Sequence, residues 1–265
     1  MDSTSPRPLA VVTGASSGIG YELAKQFGEH GYDLFIAAED AAIERAAQDL
    51  GRTGAGVQFL QVDLARPEGV EALYGAIKDA GRPVEAIALN AGVGHGGDFA
   101  RETDLDAELR VIDLNVRSTV HLAKPVITDM VARGSGRVLF TSSIASTQPG
   151  TFHAVYNASK SFVQSFAEAI RNELRDTGVT VTSLMPGPTD TEFFERAELE
   201  DSRIANSYRD DPAEVAAQGF EALMKGKEKV VAGSLRNKAQ VAAGRLTPDA
   251  VKAQMHRKMA EPESA

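Results

Sequence analysis

Apolar positions along this chain follow two alternating patterns. Short runs rich in apolar residues, such as 9–12 and 33–38, are typical of strands buried on both faces of a parallel sheet. Between them, Leu23, Ala24 and Phe27 recur with the spacing of a buried helix face. The first part of the chain therefore predicts a strand, a turn, a helix and a second strand.

The same alternation continues to residue 232. Further helices are predicted over residues 42–50, 67–80, 105–133, 155–175 and 212–224. Further strands are predicted over residues 57–62, 84–89, 137–141, 179–184 and 229–232. This order predicts an α/β fold with a doubly wound parallel sheet, whose ligands bind at the carboxyl ends of the strands.

Two segments depart from the alternation. Residues 188–211 form a long acidic stretch, which predicts a lid because long loops in compact domains are usually functional. Residues 235–265 form a basic extension with a helix predicted over 248–259. We expect one domain over residues 1–265, with a core at about 7–232, the lid at about 188–211 and a helical extension at about 235–265.

Charge and composition exclude several classes of function. The net charge of -9 opposes a large nucleic-acid interface. The chain has no cysteine, which excludes disulfides and thiolate sites and fits the reducing cytoplasm. Its five histidines lack ligand spacing, so no metal site is predicted. No signal peptide and no apolar run of about 18 residues is present, so we predict no membrane role.

A glycine-rich turn connects the first strand to the first helix. Gly14, Gly18 and Gly20 have the spacing G-x-x-x-G-x-G, which permits a tight turn and close backbone approach. A pyrophosphate can then bind at the N-terminus of the helix, next to free N–H groups and the positive end of the dipole. The alternative is a tight turn without a ligand.

An acidic pair follows the second strand. Glu39 lies where a carboxylate would accept a hydrogen bond from an adenosine ribose 2′-hydroxyl, which would disfavour a 2′-phosphate. The alternative is that Glu39 or Asp40 only caps the next helix.

Three polar residues form a candidate catalytic group. Tyr156 and Lys160 lie four positions apart on one face of a predicted helix. A protonated lysine near the phenol would lower the pKa of Tyr156 and prepare it for proton exchange with an alcohol or carbonyl oxygen. Ser143 follows a predicted strand and would reach the same oxygen. Asn115 lies within a predicted helix, and its role stays open from spacing alone.

These motifs together resemble the short-chain dehydrogenase/reductase family. The resemblance rests on the glycine motif 13–20, Asn90-Ala91-Gly92, Asn115, Ser143, Tyr156 with Lys160, and Pro186-Gly187, in matching order and spacing. It implies a Rossmann-type fold of about seven parallel strands and hydride transfer with NAD(H) or NADP(H). It also implies a small-molecule carbonyl or alcohol substrate, and a homodimer or homotetramer.

The resemblance also implies roles for individual residues. Tyr156 would be the general acid or base, Lys160 would lower its pKa and bind the nicotinamide ribose, and Ser143 would orient the substrate oxygen. Asn115 would support a water in a proton relay, and Asp63 would bind the adenine amino group. The predicted cofactor-binding residues are Gly14, Ser16, Ser17, Gly18, Ile19, Gly20, Glu39, Asp63, Leu64, Asn90, Ala91, Gly92, Tyr156, Lys160, Pro186, Gly187, Thr189 and Thr191.

Departures from the family pattern bear on cofactor and substrate. The positions that often carry a cation in NADP-preferring members hold Ser16, Ser17, Glu39 and Asp40, which slightly favours NAD(H), whereas Ala38 replaces the usual Asp of NAD-preferring members. Intact catalytic residues favour an oxidoreductase over the alternative, a catalytically silent dinucleotide-binding regulator. The candidate substrate residues are His95, Phe152, His153, Phe193 and Phe194.

Overall fold

The computed structural model describes residues 6–191, 209–244 and 247–260. Seven parallel strands form one sheet in the order β3-β2-β1-β4-β5-β6-β7, which confirms the doubly wound α/β prediction. The strands are β1 Leu9–Thr13, β2 Asp33–Ala38, β3 Val57–Gln61, β4 Val84–Leu89, β5 Gly136–Thr141, β6 Val179–Met185 and β7 Lys229–Val231.

Helices connect the strands and cover both faces of the sheet, because parallel strands need crossover connections. They are α1 Gly18–Glu29, α2 Ala42–Gly51, α3 Pro67–Asp79, α4 Leu105–Ile112, α5 Ser118–Arg133, α6 Ala154–Glu173, α7 Pro212–Met224, α8 Leu235–Gly244 and α9 Asp249–Ala260. Within the described ranges, no helix combines the length and apolar character needed to cross a membrane.

Two apolar clusters lie on opposite faces of the sheet. Alternate residues of β1 point to each side, so that Val11 joins one cluster and Val12 the other. Phe27 of α1 anchors the second cluster, where its ring meets the rings of Tyr32 and Phe220 edge-on at centroid distances of 5.2 Å. The sheet is thus fixed between two helical layers.

The strand order reverses between β1 and β4. The segments that follow these strands diverge to opposite sides and leave a crevice at the carboxyl edge of the sheet. The glycine loop follows β1 and Asn90 follows β4, while Ser143 comes two residues after β5. The topology therefore brings three predicted site segments to one edge.

The predicted helix over 105–133 is interrupted. A π-helical turn at Asp113–Arg117 joins α4 to α5, and the Asp113 carbonyl accepts from the Ser118 N–H, five residues later. Two hydroxyl groups add further bonds: Ser118 Oγ donates to the Leu114 carbonyl, and Thr119 Oγ1 donates to the Asn115 carbonyl at 2.8 Å. The sequence pattern did not predict this turn, because its apolar spacing resembles that of a continuous helix.

The segments outside the regular alternation are described in part. The extension contains α9, close to the predicted helix 248–259, and a further helix, α8, that the pattern did not specify. Most of the predicted lid, residues 192–208, lies outside the described residues, and so do Phe193 and Phe194.

Candidate active site

A cavity of about 490 Å³ opens at the carboxyl edge of the sheet. It brings together nearly all of the predicted site residues. These are Gly14, Ser16, Ser17, Gly18, Ile19, Gly20, Glu39, Asp63, Leu64, Asn90, Ala91, Gly92, Ser143, His153, Tyr156, Lys160, Pro186, Gly187, Thr189 and Thr191. Among the described candidates, Asn115, His95 and Phe152 do not line it.

The glycine loop is shaped for close approach of a ligand to the backbone. Gly14 has a φ of 66°, and a Cβ atom there would lie 2.8 Å from the Ala91 Cα atom. At Gly20, a Cβ would lie 2.0 Å from the Gly14 carbonyl oxygen. Helix α1 begins at Gly18, so its first N–H groups face the cavity without intrahelical acceptors. The loop is therefore suited to hold a phosphate.

Asn90 links three strands at the floor of the cavity. Its Nδ2 atom donates to the carbonyls of Thr13 and Gly14 at 3.1 and 3.3 Å. Its Oδ1 atom accepts from Thr141 Oγ1 at 3.0 Å. The side chain thus fixes the glycine loop relative to β4 and β5.

Asn115 lies behind the cavity wall and holds that wall in place. The π-helical turn presents its amide to Val93, with Oδ1 accepting from the Val93 N–H and Nδ2 donating to the Val93 carbonyl, both at 2.9 Å. Nδ2 also donates to Ser159 Oγ at 2.9 Å. These bonds tie the segment after β4 to helix α6, which carries Tyr156.

Ser143, Tyr156 and Lys160 meet at the middle of the cavity. Tyr156 is hydrogen-bonded to Ser143, whose Oγ also accepts from the Ala145 N–H at 3.1 Å. Lys160 Nζ donates to the Thr141 carbonyl at 3.0 Å and lies 5.9 Å from the centroid of the Tyr156 ring. The predicted constellation is therefore assembled on α6 and the segment that follows β5.

Burial dominates the electrostatics of this group. It raises the pKa of Tyr156 to about 12, and the hydrogen bond from Ser143 offsets part of this rise. Burial also lowers the pKa of Lys160 to about 8. Ser143 supplies the contribution that lowers the pKa of Tyr156, and desolvation outweighs it. A lowering of this pKa by Lys160 stays a prediction.

A cation that sequence reasoning missed lies beside Glu39 and Asp63, which line one end of the cavity, although Arg110 itself does not line it. Arg110 of α4 forms ion pairs with Glu39 and with Asp63, the latter at 3.2 Å. Both carboxylates are predicted to bind the cofactor, Glu39 from its position after the second strand and Asp63 from the family resemblance. Arg110 lies far from them along the chain, so no local pattern announces the contact.

Asp40 is not the N-cap residue of α2, which is Ala41, but its side chain contacts the start of that helix. Its Oδ1 atom accepts from the Ala42 N–H at 3.1 Å, at the start of α2. Its Oδ2 atom accepts from Ser16 Oγ at 2.8 Å. Asp40 therefore connects the glycine loop to α2, while Glu39 pairs with Arg110.

The C-terminal extension supplies a further wall of the cavity. Asn237 of α8 donates to Asp210 Oδ2 at 2.6 Å and lies against Gly187, where a Cβ would meet the Asn237 amide at 2.3 Å. His256 of α9 also lines the cavity. The basic composition of the extension gave no sign of this location. Across the described ranges, no cluster of His, Asp and Glu could hold a metal ion.

Known proteins are similar to this chain in sequence. A family model described as short chain dehydrogenase matches residues 8–202. Sulfoacetaldehyde reductase 2 of Chromohalobacter salexigens is 29% identical over 187 residues, which cover 70% of this chain and 74% of that protein.

Two solved structures are similar in fold. A short-chain dehydrogenase from Sphingobium yanoikuyae in complex with NADPH matches with a TM-score of 0.79 and 27% identity, covering 90% of this chain and 93% of that chain. A short-chain dehydrogenase/reductase from Burkholderia phymatum in complex with NAD matches with a TM-score of 0.80 and 24% identity, covering 98% of both chains, and bears on the fold alone. The chain therefore belongs to the short-chain dehydrogenase/reductase family, the NAD(P)-dependent oxidoreductases that act on CH–OH and C=O groups.

Proposed function

We propose that this enzyme interconverts a ketone and a secondary alcohol, with Tyr156 as the acid/base. One observation carries the proposal: the Tyr156 phenol, hydrogen-bonded to Ser143, and the buried Lys160 lie in the cavity that the glycine loop lines. Proton exchange and dinucleotide binding thereby share one site. This arrangement favours catalysis over a silent regulator.

The positions of the side chains suggest separate roles in cofactor binding and in proton transfer. The nicotinamide dinucleotide supplies or accepts the hydride. The glycine loop and the start of α1 would hold its pyrophosphate, and Lys160 its nicotinamide ribose. In reduction, Ser143 donates a hydrogen bond to the carbonyl oxygen, and Tyr156 delivers the proton to it. The high pKa of Tyr156 keeps the phenol protonated at neutral pH, ready for this step.

We infer a modest preference for NAD(H). Glu39 lines the adenosine end of the cavity and opposes a 2′-phosphate, whereas Arg110 neutralises part of that charge. Opposing charges of similar exposure leave a preference of less than about tenfold, which corresponds to about 1.4 kcal/mol. Asp40 also lines the cavity and adds a second negative charge that opposes a 2′-phosphate.

The same proposal includes a homodimer or homotetramer. Helices α4 and α6 leave an apolar groove on the surface, and Phe99 and Phe162 in it are 62% and 42% exposed. Ile112 and Val155 complete its walls. An exposed apolar surface of this kind is suited to pack against a second copy.

Substitution of Tyr156 by Phe tests the catalytic role. We expect turnover of ketones to fall by a factor of about 10² to 10⁴, the usual contribution of general acid catalysis. Binding of NADH, followed by its fluorescence, is expected to persist. Tyr74→Phe is the matched control, since Tyr74 bonds to Asp129 away from the cavity. Unchanged turnover in Tyr156→Phe would refute the mechanism.

A further inference from the structure

Helix α9 is attached to the segment that precedes the catalytic helix. Lys252 Nζ donates to the Thr147 carbonyl at 3.1 Å, and Thr151 Oγ1 donates to the Ala253 carbonyl at 2.9 Å. His256 Nδ1 lies 2.9 Å from the Thr151 carbonyl. Three contacts thus fix the extension beside α6, which carries Tyr156.

The attached segment has a constrained backbone. Phe152 has a φ of 63°, in the left-handed region that is costly for a bulky residue. Its carbonyl accepts from the Gly97 N–H at 2.9 Å, and Arg257 of α9 lies 5.5 Å from the centroid of its ring. This conformation places the next residue, His153, at the cavity, three positions before Tyr156.

Two imidazoles meet where α9 closes the cavity. His153 and His256 are 6% and 3% exposed, and their ring centroids lie 5.3 Å apart with the planes at 82°. Both residues line the same cavity as Tyr156. The pair therefore shares a cavity with Tyr156, with one ring from the N-cap of α6 and the other from α9.

The hydrogen-bonding capacity of the pair is only partly used. His256 Nδ1 must be the donor to the Thr151 carbonyl, so in the neutral ring Nε2 carries a lone pair. His153 Nε2 is buried and has no hydrogen-bond partner within the described ranges of the chain. Buried polar atoms are usually paired, and an unpaired one needs an explanation.

We propose that His153 and His256 form a subsite for a hydroxyl group of the substrate, so that the preferred substrates are ketones with a hydroxyl close to the carbonyl. The inference rests on the proposed ketone chemistry. His153 is the N-cap residue of α6 and precedes Tyr156 by three positions, and both side chains line the same cavity. A hydroxyl one or two carbons from the carbonyl is the group of a ketone substrate that this subsite would bind.

A hydroxyl fits this pair better than an anion or an apolar group. It both donates and accepts, so it can donate to His256 Nε2 and accept from His153 Nε2–H. Burial, with a contribution from His256, lowers the pKa of His153 to about 4, and burial also lowers the pKa of His256. Both rings are thus neutral at neutral pH and offer no charge to an anion. An apolar group would leave both nitrogens unpaired.

The test compares acetoin with butanone, which differ by one hydroxyl next to the carbonyl. His256→Asn is the main variant, because its Nδ2 can keep the bond to the Thr151 carbonyl while the Nε2 lone pair is lost. His153→Phe removes the other partner and keeps a ring. We expect the acetoin-to-butanone ratio of kcat/KM to fall about fivefold to tenfold in each variant, as for loss of a neutral hydrogen bond. The loss should appear in the KM for acetoin.

Lys252→Met is the matched control. Lys252 attaches α9 to Thr147 but does not line the cavity, so its loss tests the position of the helix without removing an imidazole. We expect the ratio to stay within twofold of the wild type. An unchanged ratio in His256→Asn, or an equal fall in Lys252→Met, would overturn the subsite. Failure of the enzyme to reduce either ketone would instead refute the proposed ketone chemistry.

Discussion

The charges of Glu39 and Arg110 should set the preference between NADH and NADPH. Glu39 and Arg110 are each 41% exposed at their side chains and form an ion pair, and Arg110 also pairs with Asp63. Substitution of Glu39 by Gln keeps the shape of the side chain and removes one negative charge. It also leaves Arg110 with less carboxylate to neutralise, so that the guanidinium can attract a 2′-phosphate.

The expected size of the effect follows from the exposure of the two side chains. For half-exposed groups the effective dielectric constant lies between about 20 and about 80, and unit charges roughly 5 Å apart then interact by about 0.8 to 3 kcal/mol. We take a value near 1.4 kcal/mol, which corresponds to about tenfold in kcat/KM. The ratio of NADPH to NADH efficiency should therefore rise about tenfold in Glu39→Gln.

Arg110→Met supplies the opposite change in charge. It leaves Glu39 and Asp63 without their shared cation, so the ratio of NADPH to NADH efficiency should fall about tenfold. The assay measures kcat/KM for both cofactors with one ketone at saturation, and dissociation constants by NADH and NADPH fluorescence. Raised salt should reduce both effects, because exposed charges are screened.

The two variants together test whether Glu39 controls the cofactor preference. Glu39 controls the ratio only if Glu39→Gln and Arg110→Met move it in opposite directions. A ratio within twofold of the wild type in Glu39→Gln would show that this carboxylate does not contact the 2′ group. The proposed preference for NAD(H) over NADP(H), which rests on Glu39, would then have no support.

Three further predictions concern stability and assembly. Phe27→Ala should cost about 3–5 kcal/mol of unfolding free energy in urea titrations, because Phe27 is fully buried against Tyr32 and Phe220. Burial lowers the pKa of His153 to about 4, so between pH 6.5 and 4 the unfolded chain binds more protons than the folded protein. The free energy of unfolding should therefore fall by about 2 kcal/mol from pH 7 to 5, and by less in His153→Gln. Phe162→Glu should shift the proposed oligomer toward monomer in light scattering, and an unchanged mass would show that the groove is not the interface.

The layered fold was predictable because strand and helix signals agree along the chain. The buried runs at β1, β2 and β4 are nearly continuous in apolar residues, and each ends in a turn signal. The π-helical turn at Asp113–Arg117 was not predictable, because such a turn inserts one residue into the helix without a visible change in the spacing of apolar residues. Its effect is local but important, since it presents the Asn115 amide to Val93.

The spatial meeting of the candidate catalytic residues was predictable for a topological reason. Ser143 follows a strand end and Tyr156 and Lys160 share a helix face, so their meeting depends only on local structure and on the parallel sheet. Arg110 and His256 lacked such a signal, because their contacts join segments far apart in the chain. Side-chain partners of this kind follow from packing and not from pattern.

The protonation states of Tyr156 and Lys160 predict how the rate depends on pH. The phenol stays protonated because burial raises its pKa to about 12, while the pKa of Lys160 is lowered to about 8, so the cation is lost well before the phenol ionises. In the proposed mechanism, Lys160 in its charged form stabilises the negative charge that develops on Tyr156 as it delivers a proton. We therefore expect kcat/KM for ketone reduction, at saturating NADH, to be level below about pH 8 and to fall above it. A rate that stays level or rises up to pH 10 would show that Lys160 does not assist the acid and that its buried charge serves binding alone.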